Sequence, residues 1–258
     1  MIGAVLFDLD DTLVDFPPQP RSALFCKGAE RVYAYLSAHE LAMPSFAHFY
    51  RKQRWLRRRI GWMTWLTGGE PDCRRTLRQL CRDYGLQRDE QSLAKLGWLW
   101  YEPIAESSEL CTDVIPTLTA LRDNDIKLGL VVHTTYQGAV IDQHLSDLGL
   151  LEFFPSRAYS SEIGAQKPQA QLFMAALDLV GVPATKTLYV GDDMKLDIAA
   201  AHRVGMQTAL RSRSASRRAA GVADYVIRNI GDLLDILALT QSPSRIAATI
   251  PPLQLAVK

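Results

Sequence analysis

The sequence has few of the features that mark a zinc protein or a disulfide-stabilised protein. Four cysteines occur among 258 residues, at positions 26, 73, 81 and 111, with no Cys-x-x-Cys pair and no accompanying histidine cluster. This pattern argues against a zinc site, and against a disulfide framework in a chain of this length. We expect four free thiols.

Long apolar runs and a strong net charge are also missing. The apolar run at residues 1–7 is too short for a signal peptide or a membrane span and lacks a basic start, and no other run approaches a span. The 29 Lys+Arg and 28 Asp+Glu leave a net charge of +1, which gives no sign of nucleic-acid or membrane binding. We predict a soluble cytoplasmic protein without either partner, and the sequence is silent on oligomeric state.

The apolar residues that are present, 48% of the chain, follow an alternating order of strands and helices. Short apolar runs are typical of buried parallel strands and occur at 3–7, 128–132, 187–190, 207–210 and 224–227. Between them lie stretches with helical spacing of apolar residues, at 115–123, 138–148, 169–180 and 195–204. This order predicts an α/β fold with a Rossmann-like, doubly wound parallel sheet.

Residues 16–110 interrupt that alternation with helical patterns. We interpret them as an α-helical cap inserted into a core of residues 1–15 and 111–240, and residues 241–258 as a poorly ordered tail. The insert holds 15 Lys+Arg against 10 Asp+Glu, which suits an anionic substrate.

The insert also contains all five tryptophans and five clustered arginines, at 51, 54, 57, 58 and 59. The tryptophans have two interpretations, a packed helical core or part of a lid over an active site. The arginines likewise fit either a solvated helix face or the basic part of such a lid.

Acidic residues stand at the carboxyl ends of two predicted strands. Asp8 and Asp10 follow the first, Asp192 follows the third, and Lys167 lies between them in sequence. Ligands of open α/β sheets bind at this edge. Crowded carboxylates need a cation, and oxygen donors without Cys or His select Mg²⁺. The sequence therefore predicts a magnesium site.

The same residues suit phosphoryl transfer. A carboxylate such as Asp8 can attack phosphorus to form an acyl-phosphate. Lys167 can neutralise both Asp8 and the transferring group, and Asp10 can protonate the leaving oxygen and later deprotonate water. Each piece alone is common, because Asp is favoured at turns and helix starts, but their combination in this order is specific.

The motifs resemble those of the haloacid dehalogenase (HAD) superfamily. Residues 5–15 (VLFDLDDTLVD) resemble its first motif, Lys167-Pro168 the third, and residues 190–197 (VGDDMKLD) the fourth. The order over residues 1–15 and about 112–235 is similar to the subfamily that has a helical cap inserted after the first motif. The resemblance implies a Mg²⁺-dependent phosphatase that acts on a small phosphorylated metabolite.

The resemblance also implies residue roles. Asp8 would be the nucleophile and a metal ligand, Asp10 the general acid/base with its backbone carbonyl on the metal, and Asp192 a direct metal ligand. Asp193 and Asp197 would have secondary roles, through water or Lys167. Thr12 would support the turn after Asp10.

The second motif departs from the family pattern, which ends its strand in Ser or Thr to hold a phosphate oxygen. Here Val132 takes that position and His133 follows it. Thr134 would substitute if the strand end shifted by a residue. His133 is either a neutral packed or capping residue or an imidazolium on the phosphate. We expect phosphate contacts from His133, Thr134 and Lys167.

Three alternatives to a phosphatase remain. A dehalogenase of the same superfamily acts without metal and lacks the second aspartate of the first motif, so Asp10 and Asp192 argue against it. A phosphotransferase or sugar-phosphate mutase would carry the same motifs. A non-catalytic binding or regulatory protein would explain Val132, but not the intact Asp8, Asp10 and Lys167.

Overall fold

The computed structural model of the protein describes residues 1–16, 20–39, 43–67, 73–86, 89–212 and 223–238. The predicted tail at 241–258 lies outside the described residues, as does the side chain of Trp65. All four cysteines are free thiols, as expected. Within the described part of the chain, no helix is both long enough and apolar enough to cross a membrane.

Six parallel strands form the main sheet, which confirms the predicted fold class. The central strand β1 (Ala4–Phe7) lies between β4 (Lys127–Val132) and β6 (Thr187–Gly191). Beyond them lie β5 (Ser156–Tyr159) on one side and β7 (Gln207–Arg211) and β8 (Tyr225–Ile227) on the other, in the order β5-β4-β1-β6-β7-β8. The chain thus winds outward in both directions from β1.

Helices cover both faces of this sheet. They are α5 (Val114–Asp123), α6 (Gly138–Asp147), α7 (Ser160–Ile163), α8 (Ala170–Val180), α9 (Ala199–Arg203) and α10 (Asp232–Ile236). Alternate residues of β1 belong to two hydrophobic clusters, with Phe7 in the cluster that contains α5 and α6 and Leu6 in the one that contains α8 and α9. Because both faces are covered, β1 is apolar at every position.

The core differs from the predicted elements in several places, and the short helices α7 and α10 were not predicted. The sequence did not predict β5, an edge strand with Ser156 and Arg157 half-exposed, because it lacks a continuous apolar run. The predicted helix at 195–204 is two segments, a π-helical turn at Met194–Ile198 followed by α9. The turn begins at Asp193, whose carboxylate accepts the backbone N–H groups of residues 195 and 196.

Four helices, which we call the cap, lie between β2 (Val14–Asp15) and β3 (Glu109–Leu110). They are α1 (Arg21–Ala38), α2 (Phe46–Thr67), α3 (Cys73–Asp83) and α4 (Glu90–Ala105). The antiparallel pairing of β2 with β3 brings the two connections to the cap side by side. The cap helices fall within the interval 16–110, whose bounds as a separate domain remain a prediction.

The cap helices pack around a hydrophobic cluster of their own. In it, the rings of Phe25 and Trp100 stack with centroids 4.8 Å apart. Trp55 and Trp62 are 58% and 62% exposed, so the packed-core interpretation fits Trp100 but neither of these two.

Candidate active site

The predicted site residues meet at the carboxyl edge of the sheet. Asp8 follows β1, Asp192 follows β6, and the loop with His133 and Thr134 follows β4. The backbone N–H of Asp8 still donates to the carbonyl of Val190 at 2.9 Å, so the first carboxylate stays fixed to the neighbouring strand. The parallel order of these strands therefore gathers residues that are more than 180 positions apart in sequence.

Lys167 lies at the centre of the site. Its Nζ is 2.6 Å from Oδ1 of Asp8 and 2.7 Å from Oδ1 of Asp197. Lys167 and Asp197 are only 5% and 1% exposed, so water contributes little to the solvation of these charges. A buried ammonium group is stable only where carboxylates replace its water, and two of them do so here.

Asp197 is fixed by its surroundings. Its carboxylate accepts the hydroxyl of Tyr189 at 2.7 Å and the backbone N–H of Asp193 at 3.1 Å. Gly191, the last residue of β6, leaves room for it, because a Cβ at that position would come within 2.6 Å of the Asp197 carboxylate carbon. Asp197 is therefore fixed in a position where its carboxylate orients the Lys167 ammonium group.

Side-chain oxygens of Asp8, Asp192 and Asp197 lie within 4.8 Å of one another and form the acidic cluster of the site. Burial raises the pKa of Asp8, against the opposing charge of Lys167. Burial and the charge of Asp197 raise the pKa of Asp192 to about 6. Both shifts arise first from burial of the carboxyl groups and second from neighbouring carboxylates, whose mutual repulsion a bound cation would relieve.

The remaining predicted carboxylates and Thr12 occupy different places. Asp10 lines the open cleft above the acidic cluster and is exposed. Asp193 starts the π-helical turn. Thr12 is fully buried and its hydroxyl has no partner among the described residues, while its backbone N–H donates to the carbonyl of Leu9 at 3.3 Å. The turn after Asp10 is thus held by backbone bonds and not by the Thr12 hydroxyl.

The loop after β4 lines the same cleft. Val132 is buried and offers no donor, and the hydroxyl of Thr134 accepts the backbone N–H of Tyr136 at 3.0 Å. The backbone N–H of Thr134 donates to the Ser160 hydroxyl oxygen at 2.9 Å. Burial, helped by the charge of Lys167, lowers the pKa of His133, which favours the neutral imidazole over the imidazolium. The predicted phosphate contacts of His133 and Thr134 remain predictions.

A cleft of about 720 Å³ separates this edge of the sheet from the cap. Its core side carries Asp10 and Asp11, and its cap side carries Gln53, Arg57 and Arg58 of α2. The volume is in the range of sites for small molecules. Two of the five clustered arginines therefore face the cleft, as the lid interpretation requires.

Three residues at or near the site were not predicted. Tyr189 was assigned only to an apolar strand. Gln53 carried no signal beyond standing one helical turn before Arg57. Arg211 directly follows the predicted strand at 207–210. The Arg211 guanidinium donates to the backbone carbonyl of Asp11 at 2.8 Å. A period-2 or period-3.6 pattern assigns an element, but it does not show which polar side chain on that element reaches a site.

Known proteins resemble the chain in sequence and structure. The model of the haloacid dehalogenase-like hydrolase family matches residues 2–205. The ribulose-1,5-bisphosphate 5-phosphatase of Halopiger xanaduensis is 31% identical, over 92% of this chain and 100% of its own. The glyceraldehyde 3-phosphate phosphatase of Methanopyrus kandleri is 30% identical, over 92% and 97%. A HAD phosphatase from Thermococcus onnurineus shares the fold, with a TM-score of 0.58 and 24% identity over 93% of this chain and 100% of its own.

Proposed function

Because the chain belongs to the haloacid dehalogenase-like hydrolase family, we propose that it is a Mg²⁺-dependent phosphatase with Asp8 as its nucleophile. It is a hydrolase of phosphate monoesters, like the two curated relatives whose names state that activity. The observation that carries the proposal is the buried Lys167, which joins Asp8 to Asp197 beneath an open cleft.

The first step of the proposed reaction forms an aspartyl-phosphate. A carboxylate oxygen of Asp8 attacks phosphorus, and the ester oxygen leaves with the electron pair of the broken P–O bond. Asp10, on the cleft wall, donates a proton to that oxygen. Lys167 offsets the charge that accumulates on the transferring group.

The second step regenerates the enzyme. Asp10, now a carboxylate, removes a proton from water as the water oxygen bonds to phosphorus. The bond between phosphorus and Asp8 breaks, inorganic phosphate leaves, and Asp8 is a free carboxylate again. Phosphate contacts from Thr134, His133 and Lys167 belong to this proposal.

The acidic cluster fits a magnesium ion by its chemistry. Asp8 and Asp192 offer hard oxygen donors, and no Cys or His belongs to the cluster. Asp197 is already engaged by Lys167 and by two hydrogen bonds, so we assign it to positioning Lys167. The carbonyl of Asp10 would supply a further oxygen ligand. The bound ion would polarise a phosphate oxygen.

Phosphate release from p-nitrophenyl phosphate and a panel of small phosphate monoesters tests the proposal. We expect turnover with Mg²⁺, none above background for Asp8→Asn, and full turnover for Asp123→Asn, an exposed carboxylate at the end of α5. Full activity in excess EDTA would remove the metal assignment. A folded protein that turns over no monoester would instead favour a non-catalytic binding protein.

A further inference from the structure

Three polar residues of helix α2 line the cap side of the cleft: Gln53, Arg57 and Arg58. Gln53 and Arg57 are one helical turn apart, so their side chains lie on the same face of α2. Asp10 and Asp11 line the core side of the same cleft. The cleft therefore has an acidic core end and a basic cap end.

Gln53 is a buried amide without a hydrogen-bond partner among the described residues. It is 2% exposed, and neither its amide nitrogen nor its amide oxygen has a partner among the described residues. Leaving both polar atoms of a buried amide without hydrogen bonds is unfavourable, and packing alone does not explain it. A polar ligand in the cleft would supply the missing hydrogen bonds.

Arg57 packs against an aromatic ring of the cap. Its guanidinium carbon lies 4.5 Å from the centroid of the Phe25 ring, which itself stacks on Trp100 in the cap. Arg57 lines the same cleft as Tyr136, which stands on the loop after β4 at the core side.

Some basic residues of the cap form ion pairs with carboxylates. Arg31 pairs with Glu102 and Lys52 with Asp83. Among the described residues, neither Arg57 nor Arg58 has a carboxylate within ion-pair distance. Unpaired guanidinium groups beside an unpaired amide form a site for an oxyanion, which Arg binds with two parallel hydrogen bonds.

On the basis of the proposed phosphatase function, we propose that the substrate carries a second anionic group on its leaving side. The phosphoryl group binds at the core side of the cleft, beside Lys167 and the carboxylates that would hold the metal. The second group, a carboxylate or another phosphate, binds Arg57 and Arg58, and the Gln53 amide donates a hydrogen bond to it. The cap thereby selects phosphate monoesters with an anionic leaving group over otherwise similar neutral ones.

Matched substrate pairs test this assignment. One pair is 3-phosphoglycerate and glycerol 3-phosphate, which differ by a carboxylate. The other is propane-1,3-diol bisphosphate and 3-hydroxypropyl phosphate, which differ by a phosphate. The readout is the ratio of kcat/KM for the member with the second anionic group to kcat/KM for the member without it. The pair with the higher ratio identifies the preferred second anion.

For the unmodified protein we expect a ratio of at least about tenfold in one pair, because a charge-assisted hydrogen bond contributes about 1.5–3 kcal/mol. The double variant Arg57→Met/Arg58→Met should lose that preference. Gln53→Met should lower the ratio without lowering Tm, since the amide makes no structural bond to lose. Arg51→Met, an exposed arginine of α2 away from the cleft, should keep the ratio.

Turnover without charge preference, or a preference that survives the double variant, would overturn the anion site and leave the phosphatase proposal standing. Calorimetric binding of 3-phosphoglycerate and the bisphosphate to Asp8→Asn protein reads the same contacts without catalysis. Charge-selective binding without any turnover would overturn the phosphatase function alone. If neither compound binds more tightly than the member of its pair that lacks the second anionic group, the anion site is refuted directly.

Discussion

At the scale of single residues, the site depends on hydrogen bonds to groups that take no direct part in the chemistry. The Tyr189 hydroxyl is one of them, because it binds Asp197, which in turn binds Lys167. We expect Tyr189→Phe to cost about 1 kcal/mol of folding stability and to lower kcat several-fold, since Lys167 then loses part of its support. Chemical denaturation and steady-state kinetics measure the two effects.

Tyr225→Phe, which removes an exposed hydroxyl from β8, is the matched control. A kcat for Tyr189→Phe that equals the control value would show that the hydroxyl does not position Lys167.

His144 predicts how stability depends on pH. It is a buried residue of α6, where the Tyr101 hydroxyl lies 3.0 Å from Nδ1 and the Ser108 hydroxyl lies 2.8 Å from Nε2. Ser108 donates its own hydrogen to the carbonyl of Ala105, so Nε2 must carry the proton and Nδ1 must accept. This network binds the neutral ring, and burial lowers the His144 pKa to about 4.

The unfolded chain therefore binds a proton near pH 6.5, whereas the folded protein binds it only near pH 4. Stability from this group is present above pH 6.5 and is lost as the pH falls toward 4. Between pH 7 and pH 5 the loss should be about 2 kcal/mol, and His144→Gln should remove that part of the slope. The free energy of unfolding of both proteins is measured by urea denaturation between pH 7 and pH 5. An equal loss over this range in the two proteins would contradict the assignment.

At the scale of helices, the cap depends on close contact between α1 and α4. Gly28 of α1 faces the backbone of Trp100, and a Cβ there would come within 2.6 Å of the Trp100 carbonyl oxygen. We expect Gly28→Ala to destabilise the protein by about 1–3 kcal/mol, although alanine is the better helix former. Lys27→Ala, the exposed neighbour, should leave Tm nearly unchanged. A Tm for Gly28→Ala at or above the original would contradict this packing.

The elements differ in how far sequence alone predicts them. Strands β1, β4 and β6 are apolar along their length because both faces are covered, so their pattern is plain. Edge strand β5 combines Arg157, which pairs with Asp142, with a buried Ala158 and Tyr159, and this mixture has no clear period. The π-helical turn depends on the Asp193 side chain and the backbone after β6, not on any spacing of apolar residues.

The candidate site shows the same division. Asp8, Asp192 and Lys167 are recognisable because motif order and strand ends place them together. Gln53 and Tyr189 are not, because their importance arises from tertiary structure. The Gln53 amide of the cap has no hydrogen-bond partner among the described residues, and the Tyr189 hydroxyl binds Asp197 in the following turn. The role of Arg57 also depends on how the cap sits over the sheet.

At the scale of the whole molecule, Arg211 ties the core to both connections of the cap. Its guanidinium donates to Asp15 of β2 at 2.8 Å, to the Asp11 carbonyl, and to the sulfur of Cys111 just after β3. We expect Arg211→Met to accelerate amide hydrogen exchange at residues 10–15 and 109–111 and to lower kcat, because the turn that carries Asp10 loosens. Arg228→Met, an exposed arginine after β8, is the control. Unchanged exchange at both connections would refute this role.

The pairing of β2 with β3 also bears on how such a molecule can diversify. The chain enters and leaves the cap through two connections joined as adjacent strands, with Val14 opposite Leu110. A segment with neighbouring ends can be lengthened, shortened or replaced while the sheet keeps its register, because the entropy of closing it grows only slowly with its length. The nucleophile and the recognition surface can therefore evolve separately. Mutations in the cap can change the surface formed by Gln53 and Arg57, and with it the substrate, while Asp8 and its chemistry stay the same.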